Sequence, residues 1–108
     1  MIGAVLTNGA GRTLYVFKPE EGGKVACTGG CASAWPPLLL ISRQKPTATS
    51  PVHPNLIGTA PDPAGGTIVT YAGWPLHTYA SDTGPGTAKG QGVGGKWYVV
   101  PPDLPPAA

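Results

Sequence analysis

Charge is scarce in this sequence: 12 of its 108 residues are Asp, Glu, Lys or Arg, and the formal net charge is +2. The cations Arg12, Lys18, Lys24, Arg43, Lys45, Lys89 and Lys96 are scattered without a run, so the footprint of a nucleic-acid binder is missing. No apolar stretch approaches the roughly 20 residues that cross a bilayer. Residues 1–6 lack the charged start and long apolar segment of a secretory signal, so a signal was either removed or never there. Hydrolytic machinery is also thin. There is no nucleophile elbow, and neither His53 nor His77 has a neighbouring acid of obvious role.

One apparent motif fails on context. Residues 90–96, Gly-Gln-Gly-Val-Gly-Gly-Lys, satisfy the spacing of a phosphate-binding loop, but that loop needs a strand before it and a helix after it. Here Trp97 and a β-branched run follow. Nucleotide binding is therefore not expected.

Glycine and proline are abundant, 17 and 14 residues, a composition that alone would suggest disorder. The aromatics argue for a fold instead, because they fall in short apolar runs bounded by turn residues, the pattern of an all-β domain. The length allows one domain with one modest core.

Val5 to Leu38 aligns without a gap onto Thr67 to Val100 at an offset of 62 residues. Phe17 falls on Tyr79, Glu20 on Asp82, Trp35 on Trp97, and Tyr15 on His77. The recurrence of turn, strand, acid, glycine loop and tryptophan in one order marks an internal duplication. We expect repeat 1 over about residues 1–41, a linker over 42–55, repeat 2 over about 56–100, and an extended proline-rich tail over 101–108. The fold class is all-β: two related hairpin-plus-strand repeats packed with pseudo-two-fold symmetry, and one short helical turn near the cysteines.

Residues 2–7 and 12–17 should form the first hairpin around the turn at 8–11, and 67–71 and 74–79 the second around Ala72-Gly73. Strands are also expected at 38–41, at 56–59 pairing with 67–71, and at 96–100. Alternation puts Thr13, Tyr15 and Phe17 on one face, and Pro75, His77 and Tyr79 on the equivalent one. Glu20 and Asp82, at equivalent places, are read as structural acceptors for glycine-loop backbone N–H groups.

Cys27 and Cys31 leave three readings open. On a helical turn, residues four apart lie about 5–6 Å apart at Cβ, and a modest distortion reaches the roughly 3.8 Å of a disulfide. The five-residue ring would contribute only about 2 kcal/mol, a local lock rather than a staple. A redox dithiol is disfavoured by the spacing. A metal site would join both sulfurs to His77, with His53 and Met1 as weaker candidates, and would suit copper or zinc. The close pair in a low-charge, turn-rich domain points to an oxidising compartment. The aromatics read as core, with Trp74, Tyr79 and Tyr98 as the candidate interaction surface if a subset is exposed.

The segments Gly11 to Glu20, Cys27 to Leu38, Tyr71 to Asp82 and Gly90 to Val100 resemble a family of small bacterial secreted or lipoprotein-anchored repeats of unknown function, marked by a Tyr-x-aromatic-x-x-Asp motif. Tyr15, Phe17 and Glu20 supply it in the first copy, and His77, Tyr79 and Asp82 in the second, with Glu20 for the usual acid and His77 for the tyrosine. The resemblance implies export, to the periplasm, the cell surface or the medium, with membrane attachment only through an upstream lipid anchor that this chain does not show. The expected role is a non-enzymatic binding or assembly module that needs no cofactor and acts on a protein partner or larger assembly. The alternative is a redox or copper-binding protein using Cys27 and Cys31.

Overall fold

A computed structural model describes residues 13–39, 56–63, 65–82 and 88–101. Among them two small antiparallel sheets dominate, with few helical residues. Strands β1 (Tyr15–Phe17) and β5 (Trp97–Val99) form one sheet, in the register Tyr15↔Val99 and Phe17↔Trp97. The other is ordered β2 (Ile57–Pro61), β3 (Thr67–Tyr71), β4 (Trp74–Pro75). Isolated bridges Tyr15↔His77, Pro37↔His77 and Leu39↔Ile68 link the two.

Local sequence accounts for these elements. β3 reads Thr-Ile-Val-Thr-Tyr, β-branched and aromatic throughout, which fits a strand buried on a pleated surface. Its turn into β4 places Ala72 at φ 52° and Gly73 at φ 85°, the paired positive φ of the tight hairpin turn that follows the twist of its strands. The expected pairing of residues 56–59 with β3 is present, from Ile57↔Tyr71 to Pro61↔Thr67. The helical turn near the cysteines is α1 (Gly30–Ala34). It stops at Trp35 because Pro36 and Pro37 follow, and the residue before a proline is driven out of the helical region.

β1 is buried on both faces, so its alternation feeds two clusters. Leu14 and Val16 join Val69, Tyr71, Trp74, Leu76 and Val100 on one side. Tyr15 joins Cys27, Trp35 and Trp97 on the other, with Phe17, Cys31, Tyr79 and Val99 packed against them.

β1 takes β5, from the other half of the chain, as a ladder partner. Its expected hairpin partner over residues 2–7 lies outside the described residues, as do the linker 42–55 and the tail beyond Pro101. The return strand over 74–79 shortens to Trp74–Pro75 plus the bridge at His77, since His77 pairs with both Tyr15 and Pro37. In the 38–41 segment only a bridge at Leu39 is described, and Leu39 is exposed.

Gly90 packs where no side chain fits: a Cβ there would lie 2.6 Å from Cη2 of Trp35 and 2.9 Å from Cε2 of Tyr15. Replacing Gly90 by alanine is expected to cost about 1–3 kcal/mol through overpacking against two buried rings. Gly30→Ala, whose Cβ meets nothing within 4 Å, should change stability by less than about 0.5 kcal/mol. Denaturant melts of both variants check the contrast.

Candidate functional site

The site begins with two backbone bonds. Tyr15 N–H donates to His77 O at 2.8 Å, and His77 N–H donates to Tyr15 O at 3.0 Å. This narrow pairing sets two residues 62 apart in the chain side by side, both fully buried. Each side chain then reaches the acid of the opposite half. The Tyr15 hydroxyl donates to Asp82 Oδ2 at 2.6 Å, and His77 Nε2 lies 2.7 Å from Glu20 Oε1.

The acids in turn gather the loops that follow them. Glu20 Oε2 accepts the backbone N–H groups of Ala26 at 2.8 Å and Cys27 at 3.0 Å. Asp82 Oδ1 accepts that of Lys89 at 2.9 Å, and Gly90 N–H donates to the Tyr15 hydroxyl oxygen at 3.2 Å. The role read for the acids, acceptors for loop backbone, is what the structure has. Both carboxylates are almost wholly buried, a placement that is costly unless each oxygen is matched by donors.

His77 Nδ1 faces the Trp35 carbonyl at 3.1 Å. A carbonyl oxygen only accepts, so Nδ1 carries a proton and donates. Burial, and then the hydrogen bond to the Asp82 carboxylate, push the Tyr15 phenol well above the ordinary tyrosine range.

Over this network lies a run of rings. Phe17 stacks on Trp97 at 4.3 Å, Trp97 on Trp35 at 3.8 Å with planes 3° apart, and Trp35 on Tyr79 at 3.9 Å. Tyr15 meets Trp35 edge-on at 5.3 Å and His77 meets Trp97 edge-on at 5.2 Å. Several contacts recur when 62 is added or subtracted. Phe17–Trp97 corresponds to Tyr79–Trp35, and Lys18 N–H to Lys96 O corresponds to Ala80 N–H to Ala34 O.

All eight motif positions, Tyr15, Phe17, Glu20, Trp35, His77, Tyr79, Asp82 and Trp97, thus meet in one place. Sequence reading missed that each acid serves the opposite half. The signal was available in a hydrogen-bonding ring, tyrosine or histidine, recurring five residues before each acid. Gly90 was also missed, because a Gly-rich loop does not reveal which glycine touches a ring.

Cys27 and Cys31 form a disulfide with Cα atoms 5.1 Å apart. Cys27 is buried and Cys31 half-buried. The proposed grouping of both sulfurs with His77 around a metal is not what the chain builds. The sulfurs bond each other, and both His77 ring nitrogens have partners within the fold. Among the described residues no cluster of three or more His, Cys, Asp or Glu is arranged to hold a metal ion; His53 lies outside them. The proposed interaction surface is also corrected. Trp74 is buried among Leu14, Val16 and Tyr71, because the tight turn folds it back onto β3. Tyr79 is half-buried on Trp35, and only Tyr98 is exposed, its hydroxyl donating to Gly95 O at 2.6 Å.

The profile of a family described as a secreted repeat of unknown function matches residues 2–39 and 58–101. No curated protein and no solved structure matches the chain.

Two outcomes are expected for Tyr15. Tyr15→Phe leaves a buried carboxylate short of one donor and should cost about 2 kcal/mol, read as a lower melting temperature. A phenol held above its unfolded value keeps its stabilisation below about pH 10 and loses it as pH rises beyond that. The melting temperature should therefore fall more steeply above that pH in the wild type than in Tyr15→Phe.

Proposed function

Because this chain belongs to the family of secreted repeats of unknown function, we propose that it is an exported, non-enzymatic binding or assembly module that works through its exposed glycine loop. The observation that carries this reading is that the motif positions are occupied with one another in the interior. Such a motif serves as scaffold, and recognition falls to what it displays. In this reading the two repeats pack about a pseudo-two-fold axis passing near Tyr15 and His77, supported by the contacts that recur at the 62-residue offset. Its location is extracellular, on the cell surface or periplasmic.

What it displays is uneven. Residues 91–96 are exposed throughout, and Val93 and Tyr98 are two of the exposed large apolar side chains. The loop is shaped by Gly92, Gly94 and Gly95, all at positive φ, and held by Val99 N–H donating to Gln91 Oε1 at 2.7 Å. A loop carrying Val93 and Lys96 beside Tyr98 of β5, tied by that hydrogen bond, suits a protein surface, since holding it in place lowers the ordering cost of binding. The partner is a protein or larger envelope assembly.

Site-specific photo-crosslinking in whole cells tests this. A photoreactive residue at Tyr98 or Val93 should give a discrete adduct that the same residue at buried Trp74 does not. Absence of an adduct from both loop positions, with the protein folded and exported, would overturn the reading.

A further inference from the structure

Trp35 and Trp97 lie 3.8 Å apart at their ring centroids with planes within 3° of parallel, so two indole faces are in direct stacking contact. Opposing two electron-rich faces raises the energy of their highest filled orbitals. The indole pair is therefore the easiest place in the fold from which to remove an electron. Tyr79 continues the stack at 3.9 Å and is half-buried, so it offers contact with the outside.

Next to the pair stands a phenol with a built-in proton acceptor. Tyr15 touches Trp35 edge-on at 5.3 Å, and its hydroxyl donates to Asp82 at 2.6 Å. Losing an electron makes a phenol strongly acidic, and a carboxylate already in hydrogen-bond contact takes the proton without any motion of the chain. The resulting phenoxyl oxygen keeps the Gly90 N–H as donor, and the new carboxylic acid can donate back to it.

We propose that the Trp97–Trp35–Tyr79 stack accepts a one-electron oxidising equivalent from a small-radical oxidant and passes it to the Tyr15–Asp82 pair. In the first step the oxidant gains one electron and the indole pair becomes a radical cation. In the second, Tyr15 returns an electron to the indole and gives its phenolic proton to Asp82, leaving a neutral tyrosyl radical and a protonated carboxyl group. No atom enters or leaves the protein, and the single electron ends on the oxidant. This activity is independent of the binding role proposed above.

Pulse radiolysis with the azide radical as oxidant, applied to the full chain with its disulfide intact, tests the path. The indolyl signal should convert to a phenoxyl signal at a rate independent of protein concentration and slower in deuterated water. Tyr98→Phe should leave that conversion in place. Tyr15→Phe, with its fold checked by circular dichroism, removes the phenol that receives the oxidation and should abolish the concentration-independent phase. Conversion that scales with protein concentration, ignores deuterium or disappears in Tyr98→Phe, or a concentration-independent phase that survives in Tyr15→Phe, would overturn the proposal. The wild-type and Tyr98→Phe readings decide it even if Tyr15→Phe fails to fold.

Discussion

The structure depends on two acids buried away from water and satisfied from across the molecule. Removing a carboxylate from solvent is strongly unfavourable unless its oxygens find donors. Here the donors come from two sources: a ring in the opposite half and the backbone of the acid's own loop. Neither half can bury its acid alone. The acids therefore specify one mutual arrangement of the halves and penalise others, which an apolar core of this size would not do as sharply. Hydrogen bonds of this kind are each worth about 1.5–3 kcal/mol when the acceptor is charged, and losing one leaves an unmatched acceptor inside.

The same requirement accounts for a composition that otherwise looks disordered. Backbone N–H groups must converge on a carboxylate from a chain that has just left it, which demands tight reversals. After Glu20 the chain passes Gly22 and Gly23, both at positive φ, before Ala26 and Cys27 return to the acid. Gly90 answers a different need, close approach to two rings, and the proline pair after Trp35 ends α1 so that Pro37 can pair with His77. Gly22, Gly23, Gly90 and the Pro36-Pro37 pair are thus tied to their positions, each with its own geometric reason.

How much of this was legible in the sequence follows from what each signal encodes. The 62-residue offset exposed the repeated acids, rings and loops, and equivalence pointed to the backbone N–H contacts that Glu20 and Asp82 make. The helical turn at the cysteines and the pairing of β2 with β3 followed from local chemistry. Alternation, however, says which residues share a face and not which strand lies opposite. β1 was thus read with residues 2–7 as its hairpin partner, and the structure adds β5 and His77, contacts that only the packing of the halves brings about. Trp74 was misplaced for a related reason. A tryptophan in a hairpin return can face either way, and here a two-residue turn folds it onto the cluster around Leu76. The metal grouping of Cys27, Cys31 and His77 rested on ligand chemistry and on the packing of the halves. In the structure the sulfurs bond each other, while the Cys27 backbone N–H and the His77 ring meet the two oxygens of Glu20.

The places where the two halves differ separate the chemistry of two similar ends. At one end Glu20 receives an imidazole, and its loop is closed by the disulfide. At the other Asp82 receives a phenol, and its loop has Lys89 and Val93 where the cysteines stand. An imidazole hydrogen-bonded to a carboxylate is a poor electron donor. A phenol with a carboxylate can give up a proton and an electron together. The stacked indoles touch both ends edge-on at similar distances, 5.3 Å to Tyr15 and 5.2 Å to His77. Distance therefore cannot decide where a charge on the stack would settle, and side-chain chemistry must. In the proposed relay Tyr15 is the terminal donor because its proton already has a destination at Asp82, whereas the equivalent position of the second half holds His77.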